Sequence, residues 1–330
     1  MIASLPLHLP NIDPVLLHLG PVKVRWYALA YVAGIVLGWF YAASLLRRQP
    51  LWAQGRAPIS PEQLDDLILW LTAGVILGGR IGYIIAYDAS IVWKEPLEIF
   101  KIWEGGMSFH GGFTGVLIAS IIWCRLHKMS FPASLSLGDL LASAAPLGLL
   151  FGRLANFING ELWGRPTHLP WGMVFCNKYV EKQYNGQCPA NYDAATGTFH
   201  EIARHPSQLY EALGEGVILF TLLWFLGQRL YKLKKPGLVM GVFITGYGLI
   251  RILLESVRNP DEQMLPFFKN VLTMGTLLSL PMVAAGAWLI WRALNTPDAP
   301  PEAEAPQPVI NEDTPPEAGL FDGKPDDTAA

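Results

Sequence analysis

Seven long apolar runs, at about 24–46, 66–87, 111–126, 137–158, 211–229, 237–257 and 270–292, constrain this chain more than any other feature. A helix needs about 20 apolar residues to cross the hydrocarbon core of a bilayer, and six of the runs reach or approach that length. The third is short, and its glycine-rich approach, Gly105 to Gly112, must dip into the membrane for it to span. Composition agrees: 15% of the 330 residues are charged, against about 25% in soluble domains. Twelve tryptophans suit aromatic belts at both interfaces. Backbone groups in lipid must be satisfied internally, which leaves helices or a closed barrel, and runs of this length select helices. The expected fold is an all-α polytopic membrane protein of about seven transmembrane helices. Its basic residues are scattered over an apolar body, so no nucleic-acid partner is expected, and the lipid bilayer is the partner of that surface.

Lys and Arg set the orientation. The first connection holds Arg47, Arg48 and Arg56, the third Arg125 and Lys128, and the fifth Arg229, Lys232, Lys234 and Lys235 without an acid. These odd connections are expected in the cytoplasm, with the N-terminus outside. The fourth connection, about 159–210, is long and rich in Gly, Pro, Trp and Tyr, and predicts a small periplasmic head. Residues 1–295 then form the membrane body. From Thr296 to Ala330 come nine acids, one Lys and eight Pro, a local charge of −8 that leaves the body at +5 within a total of −3. So few apolar residues predict a disordered cytoplasmic tail. Three cysteines give no metal spacing, and no metal or cofactor is expected. Cys176 and Cys188 share the head, and pairing is open to them if it faces an oxidising compartment.

Ionisable groups at membrane depth are functional candidates by default. With this orientation Tyr27, Arg80, His110, Arg153 and Asn156 lie towards the outer ends of their runs. Tyr247, Arg251 and Glu255 recur at i, i+4 and i+8, on one face of a helix. Polar groups from five runs thus meet in the outer leaflet, and the arginines predict an anion site for a lipid phosphate. Each has a bland reading too. Arg80 and Arg153 could snorkel to headgroups. Arg251 and Glu255 could form a structural ion pair, and His110 could be incidental to a tight Gly-rich turn. Gly111 and Gly115 form a small-xxx-small pair, which by itself signals helix packing.

The motifs run in order: Trp26-Tyr27, Gly78 to Tyr83, Gly106 to Gly112, Gly152 to Arg165, His205 to Glu211, and Gly246-Tyr247 through Arg251, Glu255 and Arg258 to Pro260-Asp261. From Pro10 to Arg292 this set resembles the prolipoprotein diacylglyceryl transferases, bacterial inner-membrane enzymes. The resemblance implies transfer of a diacylglyceryl group from phosphatidylglycerol to the lipobox cysteine of prolipoprotein signal peptides. It implies a thioether product, release of glycerol 1-phosphate, and a place as the first step of lipoprotein maturation. It further implies that Arg153 contacts the lipid, with Asn156, Glu161 and Gly164 shaping the same site. By the same resemblance His110, Tyr27, Tyr247, Arg251 and Glu255 serve activity; Arg80, from its place in the outer half of its run, and Arg258, from its motif, are expected in the substrate-binding set. Two departures stand out: Ala155 where many relatives carry Gly, and the acidic tail.

The chemistry suits these residue types. A thiol of pKa about 8.5 is only a few per cent ionised at neutral pH. His110 as general base would contribute about 10²–10⁴-fold. Arg153 and Arg251 would stabilise charge growing on a departing phosphate. An anionic lipid or solute transporter is the alternative, but it requires access from both faces and no inverted repeat is visible. A hydrolase built on Ser108 and His110 fails on spacing, because residues two apart lie about 200° apart around a helix.

Overall fold

The computed structural model describes residues 7–19, 22–86, 89–101, 106–193, 196–259 and 273–297. The expected tail beyond Pro297, the Pro260-Asp261 motif and Gly105 lie outside these described residues. The chain is mostly helical. In order come α1 (Trp26–Leu46), α2 (Pro61–Ala86), the short α3 (Ile91–Lys94), α4 (Phe109–Leu126), α5 (Phe131–Ile158) and α6 (Lys178–Gln183). A continuous rod, Ser207–Arg229, contains α7 (Ser207–Glu211) and α8 (Leu219–Trp224), separated by a π-helical stretch over Ala212–Ile218. Then follow α9 (Leu238–Leu254) and α10 (Met274–Asn295). By length and composition α1, α2, α5, the rod and α10 can cross a membrane, and α4 and α9 are shorter apolar helices. Large apolar side chains cover the outside, with Ile85 74% and Leu253 71% exposed. In water such a surface would be an aggregation liability, so lipid is its solvent.

The buried apolar core sits at one end. It takes Leu45 and Leu46 from the end of α1, Leu64 and Leu67 from the start of α2, and Trp123 from the end of α4. Leu137 and Leu140 from the start of α5, Leu223 from the rod and Val239 from the start of α9 complete it. Successive helices therefore run in opposite directions, as short connections require. Polar ties fix this end. Asp65 and Asp66 accept from the indole N–H groups of Trp39 and Trp123, each at 2.6 Å. Fully buried Asp139 of α5 accepts from the backbone N–H groups of Gly237 and Met240, each at 2.7 Å, capping α9.

Glycine decides the α2–α4 contact. A Cβ on Gly74 would lie 2.6 Å from the carbonyl oxygen of Gly115, and one on Gly78 would lie 2.8 Å from the Gly115 Cα. Only bare backbones approach so closely, which gives the Gly111–Gly115 pair its packing role. α1 packs along α5, and α9 along α10.

Between α5 and the rod the chain forms a small unit around Leu9, Met173, Phe175, Val180, Cys188 and Ala190. Its sheet joins β1 (Leu7–His8) to β4 (Met173–Val174) in parallel, and β4 to β7 (Ala203–Arg204) antiparallel. The unit therefore recruits the N-terminal segment as well as the expected 159–210 stretch. A hairpin of β2 (Val15–Leu19) and β3 (Val22–Arg25) leads into α1, and another joins β5 (Tyr192–Asp193) to β6 (Thr198–Phe199). A disulfide joins Cys176 to Cys188.

Candidate active site

The end opposite the apolar core carries the polar groups. α5, running away from that core, brings Arg153 to its last turns. The rod starts there with Glu211 and Glu215, one helical turn apart. α9 ends there with Tyr247, Arg251 and Glu255, followed by Arg258. The π-helical stretch that contains Glu215 interrupts the α-helical register of the rod at this point, a distortion frequent at functional sites.

These residues form one buried network. The Arg153 Nε and Nη2 atoms each lie 3.1 Å from Glu215 Oε2, and Nη1 lies 3.0 Å from Glu211 Oε2. The other Glu211 oxygen receives Nη1 of Arg251 at 3.4 Å and also Nη1 of Arg258. Glu255 lies 3.8 Å from Arg251 and 4.0 Å from Arg258. Glu211 and Glu215 are wholly buried. Three arginines and three glutamates thus neutralise one another, which is the condition for holding charges away from water. The arginines converge as the sequence indicates, but with counter-ions rather than as a bare anion site. Tyr247 is within electrostatic reach of Arg153, Arg251, Glu211 and Glu215.

Around this network lie most of the other expected residues. Asn156 Nδ2 donates to Glu161 Oε1 at 2.9 Å, Asn159 donates to the same oxygen at 3.4 Å, and Gln208 donates to the Glu161 carbonyl at 2.5 Å. Gly164 pairs with Arg258 in a β-bridge, and its N–H donates to the His205 carbonyl at 2.9 Å. A Cβ at Gly164 would collide with the Val257 carbonyl and stand 2.8 Å from the His205 Cβ. A bare backbone there lets the head lie against the turn that carries Arg258. On α1, the Tyr27 hydroxyl accepts from that of Tyr31 at 3.4 Å, and Tyr31 is within electrostatic reach of Arg153 and Glu161.

Two expected residues stand apart, on the α2–α4 pair. Neither helix packs extensively on α5 or α9. Arg80 is buried, with Nε donating to the Ile99 carbonyl at 3.0 Å, Nη1 to that of Gly106 at 3.1 Å, and Nη2 to that of Glu98. It holds the carbonyls of Glu98, Ile99 and Gly106, beside the helix pair that also carries His110. Its guanidinium donors go to three backbone carbonyls, of which that of Glu98 also accepts the Lys101 N–H at 3.1 Å. His110 occupies the first turn of α4, exposed, where the Ser108 hydroxyl caps the helix.

Sequence reasoning gave no role to Glu211 or Glu215. The signal was present: two acids four residues apart inside an apolar run deserve the suspicion given to arginines. Among the described residues one cluster, Cys176, Glu181 and Cys188, has metal-ligand spacing. Its sulfurs are joined to each other, which removes the thiolates a metal would need.

A family model described as prolipoprotein diacylglyceryl transferase matches residues 14–292. The chain is 51% identical to the phosphatidylglycerol--prolipoprotein diacylglyceryl transferase of Caulobacter sp. (strain K31), over 91% of this chain and 99% of that one. Identity to the proteins of that name from Phenylobacterium zucineum and Nitrobacter hamburgensis is 49% in each case. The alignments cover 91% and 89% of this chain, and 99% and 97% of those relatives. With most of its length matched on both counts, the chain belongs to the prolipoprotein diacylglyceryl transferase family.

Proposed function

We propose that this chain transfers the diacylglyceryl group of phosphatidylglycerol to the lipobox cysteine of prolipoproteins in the bacterial inner membrane. The observation that carries the reading is the buried Arg153–Arg251–Arg258 network at one end of the helices. Three guanidinium groups there suit a lipid phosphate better than any neutral headgroup. In the proposed step the cysteine sulfur attacks glyceryl C3. The C3–O bond breaks with its electron pair left on the phosphate, and glycerol 1-phosphate departs. His110 takes the thiol proton, and Arg153 and Arg251 stabilise the growing charge. Tyr27, Asn156, Glu161, Gly164, Tyr247, Glu255 and Arg258 shape the lipid site, and Arg80 belongs to the same substrate-binding set.

Seven membrane crossings complete the reading, with α4 and α9 as the two short ones and the basic odd connections in the cytoplasm. The network then lies towards the outer leaflet and the head in the periplasm. The Cys176–Cys188 disulfide supports that side, because such bonds persist in oxidising compartments. The acidic extension beyond Thr296 lies on the cytoplasmic side.

The test is purified enzyme with phosphatidylglycerol and a lipobox peptide, followed by mass spectrometry of both products. Diacylglyceryl peptide and glycerol 1-phosphate in equal amounts are expected. Movement of lipid between leaflets with an unmodified peptide would instead establish a transporter.

A further inference from the structure

Among the described residues Glu211 is the one side chain paired with all three arginines. It comes from the rod, and its partners come from α5, α9 and the turn after α9, so it ties three chain segments together at the network. It is wholly buried. Arg153 spends Nε, Nη1 and Nη2 on Glu211 and Glu215. Arg251 is different: Nη1 meets Glu211 and Glu255, while its Nε and Nη2 have no partner among the described residues. The open edge of the network therefore belongs to Arg251, and its orientation is set by the carboxylate at the other edge. Lost anchors of this kind cost rate steeply, since a displacement of about 1 Å at a reacting centre can cost about 10²-fold.

We infer that Glu211 is a positioning residue of the transfer site, the shared counter-ion that fixes Arg153 and holds the open edge of Arg251 for the phosphate of phosphatidylglycerol. This rests on the function proposed above. Charge count gives the inference its direction. Three cations and three carboxylates sum to zero, and the incoming phosphodiester adds one negative charge. A network without the Glu211 charge holds an anion more tightly, yet aims its arginines less well. Affinity and turnover then move in opposite directions. A merely structural role moves them together, because a loosened site both binds and turns over less well.

The experiment uses the full-length chain, purified in detergent and assayed with phosphatidylglycerol and a lipobox peptide. Glu211→Gln is expected to lower kcat by about 10²-fold. Its KM for phosphatidylglycerol should stay level or fall, and inhibition by added glycerol 1-phosphate should strengthen. Glu211→Asp keeps the charge but draws the anchor back by one methylene. It guards against failure of the Gln variant to accumulate, and should lose about 10-fold in kcat with KM near that of the wild type. Wild-type kcat in Glu211→Asp overturns the inference, as does a Gln variant whose kcat falls only together with a raised KM and weaker product inhibition. Both outcomes need an active wild-type enzyme. If the wild type itself makes no diacylglyceryl peptide, the proposed function fails instead.

Discussion

At the scale of single residues the counter-ions change what a substitution does. Arg153→Gln leaves Glu215 with no paired cation among the described residues and the buried network one charge negative. Breaking a buried pair from one side costs about 3–5 kcal/mol. The single variant should therefore lose transfer and also accumulate poorly in the membrane. Arg153→Gln combined with Glu215→Gln restores neutrality, so it should recover accumulation, read by membrane immunoblot, while transfer stays absent. Transfer by the double variant would remove Arg153 from the mechanism. Lys at position 153 should rescue little, since an ammonium cannot span two carboxylates as a planar fork does. His110 is testable through pH. As general base, its replacement by Gln should cut transfer steeply at pH 7, with partial recovery as pH rises towards the thiol pKa of about 8.5. The sign follows from the substrate, because more peptide thiol ionises without help at high pH. A pH–rate profile of the variant checks it, and a flat profile with weakened lipid binding would make His110 a substrate ligand instead.

At the scale of elements, the α2–α4 pair is held by bare backbone. Gly115→Val puts a branched side chain where a single Cβ already meets the Gly74 carbonyl and lies 3.0 Å from the Gly78 Cα. Overpacking of this kind costs about 1–3 kcal/mol and often more when backbone must move. The expected outcome is a lower melting temperature in detergent together with reduced transfer, since α4 carries His110. An unchanged melting temperature would mean the two helices separate without penalty. The Arg80 clasp works on the same pair. Sequence placed this arginine at the correct end of α2, yet its partners are carbonyls of residues 98, 99 and 106, whose positions depend on how the chain returns from α3 to α4.

At the scale of the whole molecule, apolar core and polar network occupy opposite ends of the same helices. Basic connections cluster at the core end, and the head meets the network end through Gly164 and Arg258. Deleting residues 296–330 removes a charge of −8 that follows α10, where the Thr296 carbonyl accepts from Lys235 at the core end. Transfer by the truncated enzyme should stay within about twofold of the full chain, because the extension is attached at the core end and salt screens charge over about 10 Å. Loss of transfer in purified truncated enzyme would show that the extension takes part in function.

Helix content, the membrane setting and the approximate bounds of the apolar runs follow from composition and run length, because a bilayer rewards apolar length whatever the neighbours are. The run at 211–229 begins four residues late for that reason: Ser207 and Gln208 are polar, yet both are buried and helical where the head covers them. The face shared by Tyr247, Arg251 and Glu255 was legible because helical periodicity is a local property. Pairing is not local. Glu211 sits 58 residues from Arg153 and 40 from Arg251. Only the packing of the rod between α5 and α9 makes it the partner of both. Likewise nothing in the spacing of Leu7-His8 announces a strand beside Met173-Val174. Run length and periodicity could place the arginines at one end of the molecule. Which carboxylates neutralise them, and which guanidinium edge stays open, was decided by tertiary packing, since buried charges must find partners wherever the fold brings them.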